Sequence, residues 1–300
     1  MNNTNQLNHE KKAILAYLAV CIIWGSTYLA IRIGVTVMPP LLFAGIRFVI
    51  AGLILVSFSY FTKKEFPKNK IDYTRQIIVG LFLLLGGNGL VVVAEQWVAS
   101  NMAALIIAVV PLFIALIELF VSKSPKIDWK GWLGLFIGFL GVALLVGNGQ
   151  KSNDTINLYA MFLLIGASFL WACGSIYSKS FANSGDMLPN IGVQMLAGGI
   201  GQLTIGLLMG EASHFTFPLQ AMGAMLYLII FGSILGYTSY IYLLDVWPAS
   251  KAGTYAYINP IVAVILGFLV LGEKVNGTML ISAAVILLGV FLVQTSNTKH

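Results

Sequence analysis

Charge is what this sequence has least of. Only 9% of its 300 residues are Asp, Glu, Lys or Arg and 58% are hydrophobic, whereas about a quarter of an ordinary soluble domain is charged. A water-soluble globular protein is excluded. Hydrocarbon offers the backbone no hydrogen bonds, so spanning elements must be helices or a closed barrel. Long unbroken apolar runs, rather than alternating stretches of about ten residues, select helices.

Other absences narrow the chemistry. His9, His214 and His300 all fall outside the apolar runs, neither GxSxG nor HExxH occurs, and the carboxylates are scattered. No nucleophile and base can be paired, so an enzyme is not expected, nor is a cofactor or a metal site. The phosphate-binding pattern GxxxxGK followed by Ser or Thr is missing, as is any soluble domain to hold a nucleotide, which argues against an ATP-driven pump. Cys21 and Cys173 both lie inside apolar stretches, where they pack as small hydrophobes and form no CxxC pair.

Apolar windows of roughly 20 residues predict spans at 13–33, 40–61, 76–95, 99–122 and 130–147, then at 157–179, 188–209, 220–244, 250–271 and 277–295. The first could imitate a secretory signal, but it runs past Trp24 and Tyr28 and has no A-x-A-like cleavage site.

The net charge of +6 sits in short loops rather than in a basic arm, so it reads as a topology signal and not as a nucleic-acid footprint. With the N-terminus inside, thirteen of the seventeen Lys and Arg fall on the cytoplasmic side. Arg32, Lys151 and Lys274 fall outside, and Arg47 lies within a span. That asymmetry follows the positive-inside rule, and an even number of spans places both termini in the cytoplasm.

The chain also repeats itself. "NMAALIIAVVPLFIAL" resembles "SKAGTYAYINPIVAVI", with Ala103 against Ala252 and Pro111 against Pro260, 149 residues apart. "IIWGSTYLAIR" resembles "SFLWACGSIYSK", with Trp24 against Trp171 at a spacing of 147. Because five spans is an odd number, the second copy enters the membrane inverted. The expected fold is an all-α integral membrane protein of ten transmembrane helices arranged as two inverted five-helix repeats. A cytoplasmic tail (1–12) precedes the first repeat (13–147), an external linker (148–156) joins it to the second (157–295), and 296–300 form a cytoplasmic tail.

The segments "WGSTYLAIRIG", "PPLLFAGIRF" and "YAYINPIVAVILGFLVLGE", with the five-plus-five layout, resemble the EamA-type permeases of the drug/metabolite transporter superfamily. The resemblance covers essentially the whole chain. It implies a central cavity between two inverted EamA repeats, alternating access, and export of amino acids or related metabolites and drugs from the cell. One departure is visible. The family commonly ends its fourth and ninth spans with Gly-Glu, and this chain has Gly272-Glu273 but reads "LFVSKSPKIDW" after the fourth.

Arg47 stands about eight residues into the second span, where a lipid-facing guanidinium would cost several kcal/mol. It is either a clamp for a substrate carboxylate or a structural Arg reaching the interface. Trp24, Ser26, Thr27 and Tyr28 in the first span, with Trp171 and Ser175 in the sixth, offer rings to cover a solute and hydroxyls to orient it. Close helix packing is the alternative for the small ones. Asn88 and Asn259 need hydrogen-bond partners that hydrocarbon lacks, from substrate or from neighbouring helices. Tyr255 and Tyr257 precede Asn259 by one turn, and Gln194 and Tyr240 are further cavity candidates. The paired kinks at Pro111 and Pro260 suit a rocking hinge. Glu118 is the deepest carboxylate of the fourth span and the candidate to carry a coupling proton, unless it reaches the headgroups or a lysine. Glu95 and Asp245, nearer span ends, favour the surface reading.

A channel is disfavoured because no filter segment or charged ring is recognisable. The expectation is a secondary active transporter in the plasma membrane, monomeric or homodimeric. Its partners are the bilayer, a small polar solute, and a proton or counter-substrate. Efflux of hydrophobic or cationic drugs is the alternative, given the aromatic cavity residues.

Overall fold

The computed structural model describes residues 3–120, 128–149 and 157–295. Among them the chain forms ten long helices and no strand: α1 (Asn3–Val35), α2 (Pro40–Phe61), α3 (Lys70–Ala94), α4 (Ser100–Glu118), α5 (Trp129–Gly149), α6 (Leu158–Lys179), α7 (Met187–Leu208), α8 (Leu219–Val246), α9 (Ala249–Leu271) and α10 (Gly277–Gln294). Eight are long and apolar enough to cross a membrane. The apolar parts of α5 and α10, Trp129–Leu145 and Gly277–Val293, are shorter. At 1.5 Å per residue each reaches about 26 Å, just under a typical hydrocarbon core.

The spans expected from the sequence match these helices to within a few residues, with two differences. Helix α1 begins at Asn3, so the polar start is continuous with the first span. The third helix begins at Lys70 and ends at Ala94, before Glu95. Most of the expected external linker (150–156) and the tail 296–300 lie outside the described residues.

Helix starts show how a sequence poor in charge spends its few polar groups. Asn157 and Asn276 cap α6 and α10 with their own side chains, accepting from the amides of Ala160 and Met279. Helices α2 and α4 instead borrow distant carboxylates. Glu211 accepts from the amides of Leu41 and Leu42 at 3.2 and 2.8 Å. Glu273 accepts from the amides of Ser100 and Asn101 at 2.8 and 3.0 Å and from the Ser100 hydroxyl at 2.8 Å. Gly272 ends α9 at φ +63°, a left-handed turn that glycine adopts without strain. That turn swings Glu273 back onto α4.

Packing follows a pseudo-twofold scheme that pairs α1 with α6, α2 with α7, α3 with α8, α4 with α9 and α5 with α10. Helix α2 lies along α7 and α5 along α10. Helix α1 packs on α8 and α9, just as α6 packs on α3 and α4. Close approach rests on small residues, as is usual in membranes. A Cβ on Gly199 would come within 2.8 Å of the Val49 amide, and one on Gly134 within 2.7 Å of the Gly289 carbonyl.

The irregularities are paired too. Helix α3 is π-helical over Leu81–Asn88, and α8 over Leu228–Tyr237. Helix α4 is interrupted between Ile107 and Val110, ahead of Pro111. Helix α9 passes through a 3-10 stretch, Gly253–Tyr257, ahead of Pro260. Each proline stands at the start of the segment that follows, where its missing N–H costs no helical bond.

Candidate functional site

Where the two halves meet, seven helices line a cavity of about 60 Å³. At roughly 10–15 Å³ per water on this measure, it has room for a few waters. Of the residues singled out from the sequence, Trp24, Thr27, Tyr28, Arg47, Asn88, Trp171 and Tyr255 form its wall, joined by Phe48, Gly232 and Tyr237 among others.

Arg47 dominates the chemistry. It is 3% exposed, and its Nε donates to Ser233 Oγ at 2.8 Å. Its guanidinium carbon lies 4.3 Å from the centroid of the Phe48 ring, a cation–π contact. No carboxylate among the described residues pairs with it, and its Nη1 has no hydrogen-bond partner. On the same wall Asn88 Oδ1 is also buried without a partner. A donor cation and a neutral acceptor therefore face one small space with bonds to give. Buried polar groups are normally satisfied.

Four aromatic rings pack together beside the cavity. Trp24 meets Trp171, Tyr240 and Tyr255 at centroid distances of 5.3, 5.0 and 5.2 Å, edge-on to Trp171 and Tyr255. Tyr240, although itself sealed from the cavity, orders the set. Its hydroxyl accepts from Trp171 Nε1 at 3.1 Å and bonds Ser175 Oγ at 2.7 Å. Trp24 Nε1 donates to the Gly232 carbonyl at 3.1 Å, inside the π-helical stretch of α8. Gly232 must be small, since a Cβ would lie 3.0 Å from Thr27 and 3.3 Å from Arg47 Nη2.

The remaining candidates stand off the wall. Ser26 bonds Tyr227 at 2.5 Å and ties α1 to α8. Gln194 accepts from the Tyr237 hydroxyl at 2.7 Å and donates to Gln76 at 2.6 Å, and Gln76 donates to Asn183 at 2.9 Å. This buried relay runs from the cavity wall to the loop after α6. Asn259, with its amide nitrogen turned toward them, donates to the carbonyls of Cys21 and Tyr255 at 2.9 and 3.3 Å, joining α1 to α9. Tyr257 is half-buried and packs in a second apolar cluster. Pro111 and Pro260 sit at the breaks of α4 and α9. Glu118 is half-buried near Lys179, away from the cavity.

Sequence reasoning missed Ser233, Tyr237 and Gln76, which hold the wall residues in place. The only local signal was the glycine-flanked run "FGSILGY" at residues 231–237, and its π-helical turn alters the facing of every later residue.

On the face where α1 begins, the two halves are stitched together. The Asp186 amide donates to the Glu65 carbonyl at 2.7 Å, the Glu65 amide to Asp186 Oδ2 at 3.0 Å, and Ser184 Oγ to Asp72 Oδ2 at 2.6 Å.

Residues 11–147 and 158–295 each match the EamA-like transporter family. The chain is 38% identical over 280 residues to the uncharacterised inner membrane transporter YedA of Escherichia coli K12, covering 93% of this chain and 89% of that one. It is 24% identical to the transporter YoaV of Bacillus subtilis (94% and 96% covered). A protein of Salmonella typhimurium named a probable amino-acid metabolite efflux pump is 26% identical (94% of each). A crystal structure 17% identical in sequence shares the fold with a TM-score of 0.67, over 94% of this chain and 97% of that one. Two matched copies, inverted packing and apolar helices agree: the chain is a multi-pass membrane protein of the EamA-like transporter family, an EamA-type permease of the drug/metabolite transporter superfamily.

Proposed function

We infer that this permease is a secondary active carrier that exports small carboxylate-bearing solutes, amino acids or related metabolites, by alternating access. The observation that carries this reading is the unmatched pair on the cavity wall, Arg47 Nη1 and Asn88 Oδ1. A zwitterion supplies what each lacks, a carboxylate for the guanidinium and an ammonium for the amide oxygen. The ring faces of Trp24 and Trp171 suit the cation as well. The cavity volume of about 60 Å³ favours a small solute over a drug-sized one, whose pockets run to about 300 Å³ or more. The name of the Salmonella relative points the same way.

Alternating access here means parting, in turn, the Glu65–Asp186 stitches on one face and the contacts between the halves on the other, with the breaks before Pro111 and Pro260 taking up the bend. Thirteen cationic residues on one side against three on the other support cytoplasmic termini, and the inner-membrane relatives support the plasma membrane. The test is an efflux screen of preloaded proteoliposomes across amino acids and cationic dyes, with Arg47→Ala beside the wild type. Export of carboxylate solutes that the variant loses is the expected result. Undiminished export by Arg47→Ala refutes the assignment, and dye export alone transfers it to the drug reading, which the aromatic quartet favours.

A further inference from the structure

Glu95, in the turn just beyond α3, has no solvent exposure, and neither of its carboxyl oxygens has a hydrogen-bond partner. Sequence position suggested a surface carboxylate near a span end. The fold instead seals it. The groups facing it are few. From α1 come Arg32, near enough for its charge to be felt, and the neutral phenol of Tyr28, and from the turn after α9 comes Glu273. Arg32 forms no ion pair with the Glu95 carboxylate, and its Nη1 donates to the Glu95 backbone carbonyl. Glu273 is spent on the amides of Ser100 and Asn101. On α2, Arg47 is turned to the cavity and Ser233, and on α6 the Tyr159 ring lies edge-on to Trp97.

A buried carboxylate with two empty oxygens is costly as an anion and far cheaper as a neutral acid. Burial pushes the Glu95 carboxyl well above the usual carboxylate range, with Arg32 pulling it down and Glu273 pushing it up. Location gives that proton a use. Tyr28 lines the central cavity, while Arg32, one turn further along α1, lines with Glu273 a recess of about 260 Å³. The same stretch of α1 therefore touches both the solute space and Glu95.

We propose that Glu95 is the proton-binding site of this carrier, a neutral acid in the closed arrangement that ionises when the halves part around Arg32 and Glu273. On opening, water reaches the carboxyl, its O–H bond breaks, and the proton leaves on water. The carboxylate that remains stands beside the Arg32 guanidinium. Reclosure requires a proton to return, so one proton is bound and released per cycle. This coupling role rests on the carrier reading above, but the titration of Glu95 does not.

The first experiment therefore needs no solute. A group whose folded-state affinity for protons is raised stabilises the fold at pH below its unfolded value, near about 4.3, and that stability is lost as pH rises through the folded value. Thermal unfolding of the purified protein in detergent, from about pH 5 to about pH 9, is expected to show wild-type stability falling relative to Glu95→Gln. That variant keeps the shape of the neutral acid. Glu95→Asp, which retains the titrating group, is expected to keep the fall. Parallel pH profiles for wild type and Glu95→Gln overturn the proposal. In the second experiment, an imposed pH gradient accelerates alanine flux through the wild type in proteoliposomes, while Glu95→Gln keeps gradient-free exchange and loses the acceleration. Equal acceleration of both overturns the coupling role. Failure of the wild type to move any amino acid in the earlier screen refutes the solute assignment, while the titration still decides Glu95.

Discussion

Replacing Arg47 with Met separates a binding role from a structural one. A buried guanidinium without a carboxylate partner is an expense to the fold. Exchange of buried ionic groups for apolar ones of similar volume is often neutral or stabilising by about 1–4 kcal/mol. Against that stands the hydrogen bond from Nε to Ser233, a charged bond worth about 1.5–3 kcal/mol. The two nearly cancel, so Arg47→Met is expected to hold its thermal stability to within about 2 kcal/mol. Affinity has no such compensation. Loss of one partner of a buried charge pair costs about 2–5 kcal/mol, or roughly 30-fold to several thousandfold weaker solute binding at about 1.4 kcal/mol per decade. The assay pairs thermal denaturation of the purified variant with equilibrium binding of a radiolabelled amino acid. A variant that unfolds readily while its folded fraction binds normally would show that Arg47 is a structural tie, and the reasoning would fail.

Further outcomes follow from the same geometry. Gly232→Val places carbon where Thr27 and Arg47 Nη2 already sit, at 3.0 and 3.3 Å from the first added atom, so membrane insertion should persist while exchange flux is lost. Gln194→Leu strips the partner from the Tyr237 hydroxyl and the Gln76 amide. Thermal unfolding should register a loss of about 2–6 kcal/mol, at roughly 1–3 for each of the two buried groups left unsatisfied. Glu273→Ala removes three hydrogen bonds from the start of α4. Caps are worth about 0.5–2 kcal/mol, so the melting temperature should fall while Gln at the same position recovers part of it. Cysteines at Glu65 and Asp186, in a background with Cys21 and Cys173 replaced by Ser, should halt flux when cross-linked and restore it on cleavage. Continued flux in the cross-linked protein would mean that this face does not open.

What could be read from the sequence is what lipid enforces. Spans, their number and their inverted repetition are legible because a bilayer demands apolar runs of fixed length and a paired polarity of loops. The wall residues Trp24, Thr27, Tyr28, Arg47, Asn88, Trp171 and Tyr255 were legible because polar or ring-bearing groups inside such runs need a partner. The rest was not, for two reasons. Caps such as Glu211 on α2 and Glu273 on α4 act across about 170 residues of chain, beyond any local pattern. The π-helical turn in α8 shifts the helix phase, so Tyr240 stands behind the wall, supporting it, while Tyr237 and Gly232 come forward. Glu95 shows the limit best. Proximity to a span end does not tell whether the adjacent turn is folded over by its neighbours.

The claim on which the rest depends is that the halves take turns opening onto one saturable site. Counterflow in proteoliposomes containing the purified wild type tests it directly. Vesicles preloaded with unlabelled amino acid should draw in labelled amino acid at a rate that saturates and that exceeds uptake by empty vesicles. Uptake that rises linearly with concentration and ignores the internal solute would contradict a carrier of this kind.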